Sequence, residues 1–366
     1  MPRRRDSSRR VLVTHSSYGG PSQAIAEALA AGLKSGAGDV RVDTLDFLDR
    51  EMPNLGVLAR FAYQQTPEFF PGFAGSLADA PQDGALIEET RRRGIPAAAL
   101  QWAQTGARAV VSTCPIATAA FAESRPSVDA LVAAVISDYS AHHLILHPKV
   151  DLLFVPTGEA RDDLVVRGFP YDRIVVAGTP VHDRVIGRAS RAACATELGF
   201  ADRFTVAVAG TGILNASRDV VSELAASGIQ VAALAAGEPR VRRRLDAAAA
   251  ETGSVAVVSE TRRYGSALSA ADALVAPAGS PRVGEALACG LPIVLYNPLP
   301  ARELFNADFL VNWGAVLLAR DEDDVVEKCR YLASHPPRLA QVAAAAAALG
   351  RPGATRAICD RVLAAL

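Results

Sequence analysis

The stretch 276–298, APAGSPRVGEALACGLPIVLYNP, places a glycine-containing turn, a short helix and a buried strand in one unit. Ser280 followed by Pro281 predicts a helix start, because the serine oxygen accepts from free backbone N–H groups and proline there needs no donor. Gly279 lets a ligand approach the backbone, and the positive end of the helix favours an anion. Glu285, one turn further, is placed to accept hydrogen bonds from a ribose diol. The stretch is consistent with half of a nucleotide site. An ordinary turn with a solvent-facing glutamate is equally well supported by the local sequence.

Apolar strand segments alternate with helical segments along the whole chain. The first half contains RVLVTHSS, DVRVDTLDF, ARAVVSTC, VDALVAAVISDYS, VDLLFVPTGE and DRIVVAGTP, and the second half contains FTVAVAGTGI, IQVAALAAGE, SVAVVSE, ADALVAPAGS, LPIVLYN and GAVLLAR. Continuous apolar strands between helices indicate parallel sheets that are covered on both faces. We therefore predict an α/β fold with two doubly wound parallel-sheet domains, which bind ligands outside the carboxyl ends of their strands.

The link between the two domains is predicted near 179–195, where GTPVHDRV leaves a strand and the polar GRASRAACATELG begins. This gives an N-terminal domain over 1–183, a C-terminal domain over 184–350 and a C-terminal helix over 351–366 that returns toward the N-terminal domain. A length of 366 residues suits two domains that each bury a core. Two such domains that face each other place a site in the cleft between them.

Composition excludes several classes of function. The 38 basic and 39 acidic residues leave no basic field of the kind that nucleic acid requires. The exception is MPRRRDSSRR at the amino terminus, which is a solvated tail or a surface for anionic lipid. Five cysteines without metal-ligand spacing argue against a zinc site or a disulfide framework. We therefore expect a cytoplasmic protein with no uninterrupted membrane span, peripheral at most on the inner face of the membrane.

Two glycine turns follow predicted strands. Gly210 and Gly212 in VAGTG can offer N–H groups to a diphosphate opposite Ser280. A dinucleotide fingerprint needs a third spaced glycine, which GTGILNAS lacks, so nicotinamide chemistry is disfavoured. Gly19 and Gly20 form the other turn, after the first strand.

The segment ISDYSAHHLILHP, at the predicted exit of a strand, contains Asp138, His142, His143 and His147. A carboxylate beside imidazoles can create a general base, and a hydrogen-bonded loop with packed histidines is the alternative. A metal site is disfavoured, and DEDD at 321–324 is better explained as the capped start of a helix. The aromatic FAYQQTPEFFPGF at 61–73, which includes Phe69 and Phe70, marks either a ligand or membrane contact or a satellite core.

Four segments in this order resemble the diacylglycerol glycosyltransferases, the bacterial processive enzymes and plant galactolipid synthases related to the peptidoglycan glycosyltransferase MurG (glycosyltransferase family 28). SYGGPSQA at 17–24 is similar to the family's S-Y-G-x-G-H-x-Q-A turn, and SDYSAHHLILHPKVDLLFVPTGE at 137–159 to its T-D-x-x-x-H-x-x-x-x-H-P-x-V-D segment. AGTPV at 177–181 matches its G-I-P-I hinge approach. Residues 268–310 resemble its donor-site signature through N-P-x-P and N-A-x-x-L elements. The resemblance spans nearly the whole chain.

This resemblance implies a GT-B fold, with the acceptor in the N-terminal domain and a nucleotide sugar in the C-terminal one. The implied reaction is an inverting, metal-independent transfer from a UDP-sugar to a lipid-linked or amphipathic acceptor, without a cofactor. The implied residues are the following: for the donor Gly210, Gly212, Gly279, Ser280, Arg282, Glu285, Arg302 and Glu303, and for the acceptor Gly19, Gly20, Phe69, Phe70 and His147.

The sequence departs from the family pattern chiefly at the position of the catalytic base and at residues near the donor. Pro21-Ser22 stand where the family carries a histidine thought to be the base, so His15, or Asp138 with His142, is the hypothesised substitute. Arg282 replaces a family threonine, and Arg302 aligns with a glutamine that touches the donor sugar. Two arginines near the donor favour an acidic sugar such as a uronic acid. These departures indicate a specialised branch, for example one that glycosylates a natural-product phospholipid.

Two other classes of function remain open. A non-catalytic GT-B protein would retain nucleotide-sugar binding after losing the family histidine and the lysine that the family carries where Pro277 stands in this chain. An enzyme that isomerises a UDP-sugar on the same fold would convert the donor with no acceptor present.

Overall fold

The computed structural model describes residues 9–17, 21–51, 53, 85–140, 145–186, 190–214, 219–235, 239–259, 263–296, 298 and 302–366. Its strands form two six-stranded sheets in which neighbouring strands run parallel. The predicted α/β architecture with two doubly wound parallel sheets is confirmed.

The first sheet has the order β2-β1-β3-β4-β5-β6. Its strands are β1 (Arg9–His15), β2 (Val40–Asp46), β3 (Ala109–Ser112), β4 (Leu131–Val135), β5 (Leu152–Val155) and β6 (Ile174–Val176). The helices that accompany it are α1 (Ser22–Gly36), α2 (Phe47–Glu51), α3 (Ala85–Thr105), α4 (Pro115–Glu123) and α5 (Gly158–Val166). Strands β3, β4 and β5 are buried along their whole length, as expected of apolar runs covered on both faces.

The second sheet has the order β12-β11-β10-β7-β8-β9. Its strands are β7 (Thr205–Ala209), β8 (Gln230–Leu234), β9 (Val255–Val258), β10 (Ala273–Pro277), β11 (Ile293–Tyr296) and β12 (Val316–Ala319). The remaining helices are α6 (Arg191–Glu197), α7 (Thr211–Leu214), α8 (Val220–Ala226), α9 (Pro239–Thr252), α10 (Tyr264–Ala270), α11 (Pro281–Ala288), α12 (Arg302–Asn312), α13 (Glu322–Ser334), α14 (Pro336–Leu349) and α15 (Ala354–Ala364).

Each sheet has one point where the winding direction reverses. In the first sheet the chain moves from β1 outward to β2 and then returns to β3 on the other side of β1. In the second sheet it moves from β7 through β8 to β9 and then returns to β10 beside β7. The crevice outside the carboxyl ends of two strands at such a switch point is where open α/β sheets bind ligands. The exits of β1 and β3, and of β7 and β10, are therefore the candidate binding positions.

The chain divides into two compact units. The first consists of Met1–His182, Pro300–Arg302 and Gly353–Leu366, and the second of Asp183–Leu299 and Glu303–Pro352. Helix α15 belongs to the first unit, where Ile358, Cys359 and Val362 are buried in the core formed with α1. Thr355 fixes this helix, because its Oγ1 donates to Val181 O at 2.6 Å and accepts from Val181 N at 3.0 Å.

The helices are short relative to the thickness of a bilayer or too polar to span one. Within the described ranges, none of them has the length and apolar character needed to cross a membrane.

Candidate functional site

The exits of β7 and β10 touch each other at the switch point of the second sheet. Gly210, the residue after β7, has φ +109°, and a Cβ there would lie 2.7 Å from Pro277 Cδ and 2.8 Å from Pro277 Cγ. Glycine is therefore required at 210 both for the backbone angle and for the close approach. The two glycine turns that the sequence assigns to a diphosphate lie at neighbouring strand ends.

The predicted helix start at Ser280 is confirmed. Ser280 is the N-cap of α11, its Oγ accepts from the backbone N of Arg282 at 3.2 Å, and Pro281 occupies the first helical position. Gly279 lies in the turn between β10 and this cap, while Gly212 lies within α7, directly after the exit of β7. The N–H groups at the start of α11 thus point out of the carboxyl edge of the sheet, where they suit an anion.

Glu285 is buried, with a side chain only 6% exposed, so the alternative of a solvent-facing glutamate is wrong. The Nη1 of Arg282 donates to Glu285 Oε2, and the Arg282 guanidinium lies over the ring of Tyr264 at 5.1 Å from the centroid. Arg184 adds a second positive charge near the carboxylate. The carboxylate, two arginines and one tyrosine form a cluster, which we call the Glu285 cluster.

Burial sets the electrostatics of the Glu285 cluster. It raises the pKa of the Glu285 carboxyl, and the charges of Arg282 and Arg184 oppose that rise. Cys289 is exposed, yet the surrounding protein partly desolvates its thiol and raises the pKa to about 11, and the negative charge of Glu285 adds to the rise. The thiol is therefore not ionised at neutral pH.

The switch point of the first sheet carries His15, the last residue of β1. Its register partner on β2 is Asp46, and His15 Nδ1 lies 3.9 Å from Asp46 Oδ2. Burial lowers the pKa of His15, while the charges of Asp46 and Glu27 oppose the shift. The imidazole is therefore neutral at pH 7 and has one nitrogen available as a proton acceptor.

Hydroxyl groups join the exits of β1 and β3 beside His15. Ser22, the first residue of α1, shares a hydrogen bond of 2.8 Å with Thr113 Oγ1 and accepts from Ser16 N at 3.2 Å. Thr14 is fully buried, and its Oγ1 has no hydrogen-bond partner among the described residues. The start of α1 is thereby fastened to the exit of β3, which gives this edge a fixed polar lining.

Asp138 and His147 do not lie at the same edge of the sheet. Asp138 follows the carboxyl end of β4, next to the buried Tyr139, whose pKa is raised by burial and by Asp138. His147 precedes β5, so the prediction that it stands at the exit of a strand is wrong. The chain crosses to the amino edge of the sheet between the two residues, as shown by Asp151, whose carboxylate accepts from the backbone N of Val132 at the start of β4.

At this amino edge His147 has a fixed hydrogen-bonding arrangement. Its Nδ1 accepts from Lys149 N at 3.2 Å, so Nε2 carries the proton and donates to Glu123 Oε2 at 2.8 Å. The alternative of a packed, hydrogen-bonded histidine therefore holds for this residue.

Several predicted site residues cannot be placed. His142, Gly19, Gly20, Phe69 and Phe70 lie outside the described residues. Arg302 and Glu303 begin α12. In the part of the chain that the structure describes, no group of three or more His, Cys, Asp or Glu side chains is arranged to hold a metal ion.

Three neighbours of the predicted residues were missed at the level of sequence. The signal for Asp46 was present, because it ends a strand adjacent to β1 and parallel register brings such ends together. Tyr264 and Arg184 come from distant parts of the chain, and no local pattern indicated them. The pairing of Arg282 with Glu285 was predictable, since the two are three residues apart on one helix.

Comparison with known proteins supports the motif resemblance. Residues 101–181 match the family model of monogalactosyldiacylglycerol (MGDG) synthase, and residues 253–355 match a model described as glycosyl transferase-like. A processive diacylglycerol beta-glucosyltransferase of Bacillus cytotoxicus is 24% identical over 265 residues, which cover 69% of this chain and 67% of the relative.

Solved structures share the fold. MurG of Acinetobacter baumannii has a TM-score of 0.62 at 15% identity, with 97% of this chain and 99% of that chain covered. UDP-GlcNAc 2-epimerase of Neisseria meningitidis, bound to UDP-GlcNAc, has a TM-score of 0.61 at 14% identity, with 97% of this chain and 100% of that chain covered. At such identities the likeness concerns the fold, which is GT-B.

Proposed function

We propose that this chain, a GT-B glycosyltransferase related to the diacylglycerol glycosyltransferases, moves a sugar from a UDP-sugar to a lipid-linked or amphipathic acceptor with inversion and without a metal. The observation that carries the proposal is the contact between Gly210 and Pro277, which holds two glycine turns together at a switch point one helical turn from Glu285. The UDP-GlcNAc bound to the Neisseria relative and the lipid named for the Bacillus enzyme agree with these substrate classes.

The donor is assigned to the second unit. The backbone at Gly210, Gly212 and Gly279, together with the Ser280 cap, would hold the diphosphate, because these N–H groups lie at a carboxyl edge and a helix start. Glu285 would accept hydrogen bonds from the ribose hydroxyls. Arg302 and Glu303, at the start of α12, would contact the sugar.

Acceptor activation is assigned to the first unit. The acceptor hydroxyl oxygen would attack the anomeric carbon while its proton passes to Nε2 of His15. The bond from that carbon to the diphosphate would break, and the diphosphate would leave with the electron pair, stabilised by the N-terminus of α11. Asp46 would favour the tautomer with the proton on Nδ1, because a carboxylate attracts an N–H. Asp138 with His142 remains the alternative base.

The proposal extends to the residues that bind the acceptor and to the location of the enzyme in the cell. Gly19, Gly20, Phe69 and Phe70 are assigned to the acceptor by resemblance, and the fixed hydrogen bonds of His147 favour a structural role for it. We expect a cytoplasmic enzyme that meets anionic lipid on the inner face of the membrane through MPRRRDSSRR. Natural-product phosphoglycolipid synthesis is the biological setting that we propose.

The Glu285 cluster removes one of the two arginines on which the acidic-sugar hypothesis depends. Arg282 already has Glu285 as its charge partner, so it is not a free cation for a uronic acid carboxylate. The acidic-sugar hypothesis therefore depends on Arg302 alone. A donor screen with the wild type and Arg302→Gln checks it: preference for a neutral hexose in both proteins rejects it.

The test of the whole proposal is transfer from a panel of UDP-sugars to lipid acceptors, with products identified by mass spectrometry. We expect a glycosylated lipid and UDP release, both reduced about 10- to 100-fold in Glu285→Gln, the loss of a charged hydrogen bond. Glu251→Gln, at an exposed position of α9, is the matched control. Binding of UDP-sugar without turnover indicates the non-catalytic alternative, and conversion of the donor without an acceptor indicates an isomerising enzyme.

A further inference from the structure

We propose that Arg282 is a positioning residue, which holds one oxygen of Glu285 so that the other stays ionised and available to a ribose hydroxyl. The inference depends on the proposed donor site and adds to it a role for Arg282 that does not involve the sugar. It also gives Tyr264 a role, because its ring restrains the Arg282 side chain.

The geometry divides the two oxygens of the Glu285 carboxylate between two tasks. Oε2 accepts from Arg282 Nη1, whereas Oε1 has no hydrogen bond to any described residue. Both side chains are largely removed from water, at 11% exposed for Arg282 and 6% for Glu285. An accepting oxygen of a largely buried carboxylate that receives no hydrogen bond from the described residues is suited to a ribose hydroxyl.

Arg282 is itself fixed from two sides. Its backbone N donates to Ser280 Oγ at 3.2 Å, which ties the residue to the cap at the start of α11. Its guanidinium lies over the ring of Tyr264, a buried residue at the start of α10. Such a cation–π contact limits the rotation of the arginine side chain. Arg282 therefore connects the cap proposed for the diphosphate to the carboxylate proposed for the ribose.

The charge of Arg282 opposes protonation of the Glu285 carboxyl. Burial raises the pKa of Glu285, and Arg282, followed by Arg184, opposes the rise. Tyr264 faces the same carboxylate, and its own pKa is raised chiefly by burial, so it is neutral near pH 7. Without Arg282 the carboxyl is expected to bind a proton at higher pH, and a protonated carboxyl is the weaker acceptor.

A direct contact between Arg282 and the diphosphate or sugar is the competing explanation. The two explanations differ in which ligand groups the loss of affinity depends on when the arginine is removed. If Arg282 acts through Glu285, the loss requires the ribose hydroxyls and grows as the pH falls. If it touches the phosphate, the loss is independent of the ribose hydroxyls and of Glu285.

The experiment measures binding of UDP and of 2′,3′-dideoxy-UDP by calorimetry between pH 5.5 and 8.5. The variants are Arg282→Met, Arg282→Lys, Glu285→Gln and the double variant that combines Arg282→Met with Glu285→Gln. Arg320→Met is the control, because Arg320 is an 82% exposed arginine of the same unit that also pairs with a carboxylate four residues away. Thermal unfolding of each variant checks that the second unit is intact.

We expect Arg282→Met to weaken the binding of UDP about tenfold at pH 7, and more at pH 5.5. The affinity for the dideoxy ligand should change little. Arg282→Lys should retain most of the affinity, since it keeps a cation, and the double variant should bind no more weakly than Glu285→Gln. Equal losses for both ligands at every pH, or additive losses in the double variant, overturn the inference while the donor site stands. Failure of the wild type to bind UDP overturns the proposed function and the inference together.

Discussion

Substitution of Gly210 by alanine tests the contact on which the proposed donor site depends. The new Cβ would lie 2.7 Å from Pro277 Cδ, and the backbone angle of +109° disfavours any residue with a side chain. The angle costs about 1–2 kcal/mol. The overlap with a proline ring in a packed strand end costs about 1–3 kcal/mol more. We therefore expect the free energy of unfolding of the second unit to fall by about 2–5 kcal/mol.

Two variants separate these contributions. Gly253→Ala, at φ +62° with nothing within 4 Å of its added Cβ, carries the cost of the backbone angle alone. Gly210→Ala combined with Pro277→Ala removes the overlap and keeps the angle. Urea unfolding followed by circular dichroism, with UDP affinity measured in parallel, gives the comparison. If Gly210→Ala is no more destabilising than Gly253→Ala, the strand exits are not in the contact described, and the reasoning fails.

Two further predictions follow from titrating groups. Asp46→Asn should reduce kcat/KM by about 10- to 100-fold and shift its acidic limb to lower pH, because the Asp46 charge raises the pKa of His15 against the effect of burial. The pH–rate profile checks it, with the exposed Asp43→Asn as control, and an unchanged profile rejects His15 as the base. Cys289 should react slowly with iodoacetamide at pH 7.5 although the residue is exposed, since partial desolvation of its thiol raises the pKa to about 11. Glu285→Gln should speed the reaction, measured by mass spectrometry, and equal rates contradict the proximity of the two groups.

The strands in the described ranges and their parallel pairing follow from local pattern. Apolar runs such as VLV and LLFV, too short for buried helices and bounded by turn residues, allow little else than buried strands between helices. The helix starts at Ser280 and at Asp321 were also predictable, because each supplies a side-chain oxygen to a backbone N–H two or three residues on. Local chemistry of this kind needs no tertiary partner.

The candidate site was less predictable because it depends on where the chain crosses the sheet. Asp138 and His147 are nine residues apart, and nothing in their spacing shows that the chain passes from the carboxyl edge to the amino edge between them. The environment of Glu285 was equally invisible, since Tyr264 and Arg184, which interact electrostatically with its carboxylate, lie on distant parts of the chain. Local pattern therefore located the helix start at Ser280 that we assign to the donor, whereas the environment of the carboxylate depends on tertiary packing.

The place of α15 has a consequence for cutting the protein into fragments. Because α15 completes the apolar core over α1, a recombinant fragment that stops at His182 would leave that helix uncovered and lose both hydrogen bonds of Thr355. We expect such a fragment to aggregate unless residues 353–366 are supplied in trans or fused through a short linker. Expression of the first unit alone, for crystallography or for lipid-binding assays, therefore calls for a rearranged gene rather than a truncated one.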